Sequence, residues 1–190
     1  MKSEATDRIV LLGDSLTEYW DWDELAPGGR VVNQGVSGDT SMGLWGRVGQ
    51  ATALGPRAIC LQVGINDLAQ GIDPASVAEN HARIWRDIGR LAPLSRLVVC
   101  SLMPIRVACL GWPSPGLTNG RVRETNSLLR EQVSTMADGF AGGLDWLDLY
   151  ALAAEPDGEL PGHMTQDGVH LTPAAYGIWA WALRSVPGLF

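Results

Sequence analysis

The sequence predicts an α/β fold: a doubly wound, five-stranded parallel sheet covered by helices on both faces. Two patterns carry this reading. Five short apolar runs, each bounded by glycine or proline, recur along the chain, as buried parallel strands do, and segments of helical periodicity lie between them. A third observation fits the same topology. Polar, glycine-rich segments follow several of the runs directly, and in open α/β sheets ligands bind at the carboxyl ends of the strands.

Taken in order, the first strand is expected at 9–13 (Ile-Val-Leu-Leu-Gly) and the second at 31–33 (Val-Val-Asn). The third is expected at 58–64, the fourth at 96–102 and the fifth at 144–149. A helix is predicted over 74–89, with Asp73 as N-cap and Pro74 at its first position; Val77, Ala78, His81, Ile84, Trp85 and Ile88 share one face. A second is predicted over 119–136, with Val122, Asn126, Leu129 and Val133 in register, and a last one over 173–185, capped by Thr172. Strands and helices alternating in this way imply right-handed crossovers. No repeat or low-complexity linker interrupts them, so one domain is expected over 1–190.

The chain has 190 residues, 46% hydrophobic and 18% charged, with a formal net charge of -7. Chains of this size bury about 70% of their unfolded surface and fold without disulfides or structural metal. The acidic balance (pI ≈ 4.8) and the lack of a basic run argue against nucleic acid and anionic membrane surfaces as partners. The 3 cysteines, Cys60, Cys100 and Cys109, match neither a zinc motif nor a CxxC pair. Residues 1–8 contain no apolar leader, and no apolar stretch is long enough for membrane insertion, so a cytoplasmic protein is the expectation.

The candidate chemistry lies after the strands. Ser15 follows Gly13 and Asp14 at the end of the first run; a serine there is a helix N-cap or, given a base, a nucleophile. Of the 3 histidines, His81 falls within a helix as a packing or surface residue, and His163 falls in a loop after Pro161 and Gly162. His170 has Asp167 three residues before it, close enough for the carboxylate to hold the imidazole while its other nitrogen takes the serine proton; the alternative is a capping pair or a surface salt bridge. Asn66, Gly38 and the Ser15 N–H would supply donors to an oxyanion, although asparagine and glycine also serve simply as turn formers. A divalent-metal site built from Asp14, Asp67, Asp167 and His170 is the competing arrangement, but it leaves Ser15 and Asn66 without a role.

Gly13-Asp14-Ser15-Leu16, Gly38 within Ser-Gly-Asp-Thr-Ser, Gly64-x-Asn66-Asp67 and Asp167-x-x-His170 resemble, in order, the four blocks of the GDSL or SGNH hydrolases. The wording around them, Asn33-Gln-Gly-Val-Ser-Gly-Asp-Thr and Asp167-Gly-Val-His-Leu-Thr-Pro-Ala-Ala-Tyr176, looks most like the platelet-activating-factor acetylhydrolase-like and lysophospholipase-L1-like branch. The resemblance implies a three-layer α/β/α, flavodoxin-like fold and ester or thioester hydrolysis through an acyl-enzyme, without cofactor or metal. It implies Ser15 as nucleophile, His170 as general base, Asp167 as its orienter, and Ser15, Gly38 and Asn66 as the oxyanion hole. Asp14 is expected to cap or brace the turn under Ser15, Asp39 to order the loop around Gly38, and Asp67 to hold the loop of Asn66.

The expected substrate is a small ester with a short acyl group, because the charge is negative and no wide apolar surface is foreseen. A thioesterase or lysophospholipase using the same site is the alternative within the enzyme class, and a non-catalytic carbohydrate- or partner-binding module the alternative outside it. Relatives of this kind are sometimes dimers, but the sequence assigns no surface to a homo-oligomer. The 8 tryptophans far outnumber the 3 tyrosines and 2 phenylalanines. Trp45, after the Gly38 loop, and Trp112, in the Gly- and Pro-rich segment 103–116, are expected to wall a substrate pocket or else to pack the surface onto the core. Trp179 and Trp181, two apart on the last helix, should point to different faces.

Overall fold

In a computed structural model, which describes residues 6–26, 28 and 30–190, the apolar runs form one parallel sheet. Its strands are β1 (Thr6–Gly13), β2 (Val31–Gly35), β3 (Pro56–Gln62), β4 (Arg96–Cys100) and β5 (Leu144–Leu147), in the order β2-β1-β3-β4-β5. Every neighbouring pair is parallel, with Gly13 at the end of β1 level with Gly35 on one side and Gln62 on the other. The chain leaves β1 for one flank and returns across it to the other, so the loops after β1, β2 and β3 diverge and open a crevice at the end of β1.

Strand alternation divides the core into two. Val10, Leu12, Ile59, Leu61, Leu97 and Val99 point to one face and pack with α3 (Val48–Ala53), α5 (Pro74–Leu91) and α6 (Asn119–Met136). Ile9, Leu11, Cys60, Val98 and Cys100 point to the other, where α8 (Pro173–Arg184) lays Tyr176, Trp179 and Leu183. The result is the three-layer α/β/α arrangement. Asp73 caps α5 as expected, accepting from Ser76 N–H at 2.9 Å, with Pro74 in its first turn. On α8, Trp179 is buried and Trp181 is 59% exposed, as their spacing requires.

The structure corrects several boundaries. β4 ends at Cys100 rather than at 102, because the Asn126 side chain on α6 takes both the N–H (2.8 Å) and the C=O (3.0 Å) of Leu102 away from the ladder. β5 ends at Leu147 because Asp148 caps a helix the sequence reading did not foresee, α7 (Leu149–Ala153), accepting from Ala151 N–H at 3.1 Å. β2 runs on to Gly35, and β3 starts at Pro56 and stops at Gln62. Thr172 makes no capping bond to α8; its hydroxyl donates instead to His163 C=O at 2.9 Å. The short helices α1 (Ser15–Glu18), α2 (Ser41–Trp45) and α4 (Ile65–Ala69), together with α3, are too brief to show periodicity. Among the described residues no helix is long and apolar enough to cross a membrane; residues 1–5, on which the reading of the N-terminus rests, lie outside them.

The close approach of α1 to the end of β2 gives a test of packing. A Cβ on Gly35 would stand 2.8 Å from the Thr17 carbonyl carbon and closer still to the backbone of Glu18. Gly35→Ala is expected to cost about 1–3 kcal/mol. Gly49→Ala, on the exposed side of α3 with open space around it, should be neutral or stabilising by up to about 1 kcal/mol. Urea midpoints of both variants would measure the contrast.

Candidate active site

Ser15 is the first residue of α1, at the crevice where the sheet order switches. Gly13 allows the sharp exit from β1, because a Cβ there would strike Gln62 C=O and the Thr17 side chain. Asp14 then caps the helix, its Oδ1 accepting from Leu16 N–H at 3.0 Å. This leaves the Ser15 N–H at the helix start with no acceptor within the helix. The Ser15 side chain meets a segment 155 residues away: its Oγ lies 3.1 Å from Nε2 of His170. Nδ1 of His170 lies 2.7 Å from Oδ2 of Asp167. A carboxylate facing Nδ1 selects the tautomer in which Nε2 offers its lone pair to the serine hydroxyl.

The Asp167–His170 turn is built from local bonds. The other carboxylate oxygen of Asp167 accepts from the N–H groups of Val169 (3.0 Å) and His170 (2.8 Å). Thr165 Oγ1 accepts from Gly168 N–H at 2.8 Å and donates to His170 C=O at 3.0 Å. Gly168 has φ +98°, and a Cβ on it would run into Arg106 C=O, so glycine is needed there twice over.

On the opposite side, the loop after β2 presents Gly38 at φ +77°, and its N–H has no partner among the described residues. Glu18 holds the loop by accepting from Ser37 N–H (2.8 Å) and from the Ser37 hydroxyl. Asp39 accepts from Arg47 Nε at 2.6 Å, and Asp39 C=O accepts one amide proton of Asn66 at 2.9 Å, leaving the other amide proton free to donate. Asp67, beneath Asn66, accepts from the N–H (2.8 Å) and hydroxyl (2.6 Å) of Ser41, to which Asn80 also donates at 2.9 Å. His170 therefore touches both Ser15 and Asp167, and Asn66 is bonded to Asp39, the residue after Gly38.

Other candidates stand elsewhere. Trp45 does not face the Gly38 loop: its indole N–H donates to Asp87 Oδ2 at 2.8 Å near the far end of α5, and Arg83 stacks over its ring, so its edge and face are both committed to that helix. Trp112 is exposed, on the loop whose Arg106 N–H bonds Gly168 C=O at 2.8 Å. His163 sits exposed in the turn Gly162–Met164, while His81 is fully buried against Val63 C=O. Among the described residues no three His, Cys, Asp or Glu side chains gather as a ligand set, since Asp67 and Asp167 are each spent on the bonds above. The sequence reading passed over Glu18, Tyr19, Asn33 and Arg47. Asn33 donates to C=O of Thr17, Glu18 and Trp20, and Tyr19 lays its ring 5.4 Å from that of His170. The available signal was position alone, since Glu18 and Tyr19 follow Ser15 within one helical turn.

Burial sets the electrostatics. Burial pushes the Asp14 carboxyl up to about 7; the Leu16 N–H and His170 work against this, and Asp67 and Asp39 add to it. Burial raises Asp67 as well, against its bonds from Ser41. Burial alone would raise Asp167, but the His170 imidazole and the N–H groups of His170 and Val169 outweigh it and hold the carboxyl below its usual range. Burial pushes His81 down to about 4, against its bond to Val63, so it is neutral in the core.

A raised carboxyl fixes a sign. Between its ordinary value of 3.8 and about 7, folded Asp14 keeps a proton that the unfolded chain releases, so its contribution to stability is full at low pH and is lost as the pH rises through about 7. Asparagine caps a helix as well as aspartate does. The melting temperature of Asp14→Asn relative to wild type should therefore be higher at pH 8 than at pH 5.

Comparison with known proteins gives the geometry its context. A search of curated protein sequences found no match. Among solved structures, a protein from Streptococcus pneumonia superposes with a TM-score of 0.82 at 21% identity, covering 100% of this chain and 86% of that one. A GDSL-like lipase from Bacteroides thetaiotaomicron VPI-5482 gives 0.79 at 18% identity, covering 94% and 86%. A variant of an acetyl-xylooligosaccharide esterase from Geobacillus Stearmophilus gives 0.74 at 18%, covering 98% and 97%. At these identities the likeness is one of fold. The sequence pattern of the GDSL-like Lipase/Acylhydrolase family matches residues 11–178, from within β1 to within α8. With so much of the sheet and its covering helices inside the match, the chain belongs to the GDSL-like lipase/acylhydrolase family and is a carboxylic ester hydrolase.

Proposed function

We propose that the chain is a serine esterase that cleaves short-acyl esters through an acyl-enzyme. The observation that carries this is the unbroken line of contacts from Ser15 Oγ through the His170 ring to Asp167. His170 takes the hydroxyl proton as Ser15 attacks the ester carbon, and Asp167 stabilises the imidazolium that results. The developing oxyanion is received by the N–H groups of Ser15 and Gly38 and by the free amide proton of Asn66. His170 then passes its proton to the leaving alcohol, and the steps run again with water to release the acid. The machinery needs only the ester and water, and Asp14, Asp39 and Asp67 act beneath it by fixing backbone.

The polar rim around Gly38, made by Ser37, Asp39 and Thr40, and the net charge of -7 favour a short acyl group over a long alkyl chain. A thioester or lysophospholipid would use the same atoms, and the exposed Val36 and Met42 beside this loop are the features that would favour one.

Ser15→Ala is expected to fold normally and lose at least about three orders of magnitude in kcat, and Asn66→Ala about two to three. Initial rates on p-nitrophenyl esters from acetate to dodecanoate should fall steeply with acyl length in wild type and be unaffected by EDTA. A rise toward the long esters would favour the lipid reading, and substantial turnover by Ser15→Ala would remove Ser15 as nucleophile.

A further inference from the structure

Tyr19 is the one aromatic side chain in contact with the His170 ring among the described residues, and the chemistry above does not use it. It closes α1, its N–H donating to Ser15 C=O at 3.1 Å, so it stands one helical turn beyond the nucleophile. The two ring centroids are 5.4 Å apart and tilted by 33°. Despite this position Tyr19 is 59% exposed, and its hydroxyl has no hydrogen-bond partner among the described residues. Its neighbours are differently placed. Trp20 is stacked on Tyr176 at 4.6 Å with its N–H on Glu24, and Trp22 is buried with its N–H on Thr17 C=O. The backbone beneath Tyr19 is held as well, because the Asn33 amide donates to the carbonyls of Thr17, Glu18 and Trp20. The ring is thus a fixed, open aromatic surface beside the base, unused by the core.

The direction of proton transfer says which half of an ester this surface meets. The oxyanion lies toward Ser15 N–H, Gly38 and Asn66. The leaving oxygen must lie toward Nε2 of His170 to receive its proton. A side chain packed against the imidazole therefore borders the alcohol half of the substrate, while the acyl half lies away from it.

We propose that Tyr19 is a specificity-determining residue that selects alcohols bearing a six-membered ring, aryl or pyranosyl, over flexible alkyl alcohols of similar size. The inference rests on the Ser15–His170 reading and adds a role for a residue outside it. A rigid ring, through its π face or its C–H face, gains by lying on the open Tyr19 ring, whereas an alkyl chain makes fewer contacts there and loses more freedom.

The test compares kcat/KM for three acetates, benzyl, hexyl and a monoacetylated methyl pyranoside, in wild type, Tyr19→Leu and Tyr19→Phe. Wild type should prefer at least one ring ester to hexyl acetate. Tyr19→Leu should lower that preference about two- to tenfold, the worth of an aromatic contact, and Tyr19→Phe should retain it. The ring ester that loses more identifies the alcohol. The ratio of p-nitrophenyl acetate to butanoate should not move in either variant. A general disturbance of His170 would lower all three acetates together and leave their ratios unchanged. No ring preference in wild type, unchanged ratios in folded Tyr19→Leu, or a shift in the acyl ratio instead would each overturn the proposal. Turnover that survives in Ser15→Ala would show that the catalytic reading, not the role of Tyr19, has failed.

Discussion

The site depends on a single guanidinium. Arg47 donates to Asp39 at 2.6 Å and, through its two terminal nitrogens, to the carbonyls of Gln34 and Gly13 at 2.8 Å each. The ends of β1 and β2 and the loop carrying Gly38 are thereby tied to one planar group, most of whose surface is out of water. Lysine could not replace it, because a point charge cannot hold three acceptors in fixed directions. Asn66 is attached to the same assembly through Asp39 C=O. The groups proposed to receive the oxyanion are thus held by bonds within the protein itself, and such prior arrangement is what makes oxyanion donors effective.

The arrangement carries an electrostatic cost. Asp14, Asp39, Asp67 and Asp167 crowd one rim, and burial, with a smaller push from neighbouring carboxylates, raises the carboxyls of Asp14 and Asp67. Asp14, Asp67 and Asp167 are held by bonds from backbone N–H or hydroxyl groups, and Asp39 by Arg47, the cation set among them. Asp167 alone of the four meets an imidazole directly, and that contact helps hold its carboxyl below the ordinary range. One type of side chain therefore does two jobs here. The buried carboxylates shape backbone, and the one facing His170 adjusts a proton acceptor.

How far the sequence could be read follows from the distance to the partner. The strands and the long helices were legible because each carries its own periodicity; Ser15, Gly38 and Asn66 stood out as candidates because they closely follow strands, and Asp167 and His170 because of their spacing. What failed was decided by contacts remote in sequence. Asn126 ends β4, and nothing near Leu102 announces it. Trp45 was open between a pocket wall and packing onto the core, and Asp87 and Arg83 on another helix decide for packing. Thr172 had the right identity and place for a cap, but its hydroxyl found His163 C=O first. Tyr19 is the converse case: its spacing from Ser15 was plain, but only the packing of the last loop shows that it meets His170.

The separation of 155 residues between Ser15 and His170 bears on how such a chain is made. The proposed nucleophile and the loops after β2 and β3 are made well before the proposed base, which lies on the segment leading into α8. A growing chain can assemble β1, β2 and β3 and still be inert, since its serine has no proton acceptor. On the proposed mechanism, reactivity requires His170 over Ser15, on the segment that leads into α8, whose Tyr176 and Trp179 pack on the sheet. A chain cut between β3 and that segment would, on the same mechanism, carry a serine hydroxyl with no base, so competence is tied to the packing of α8 on the sheet.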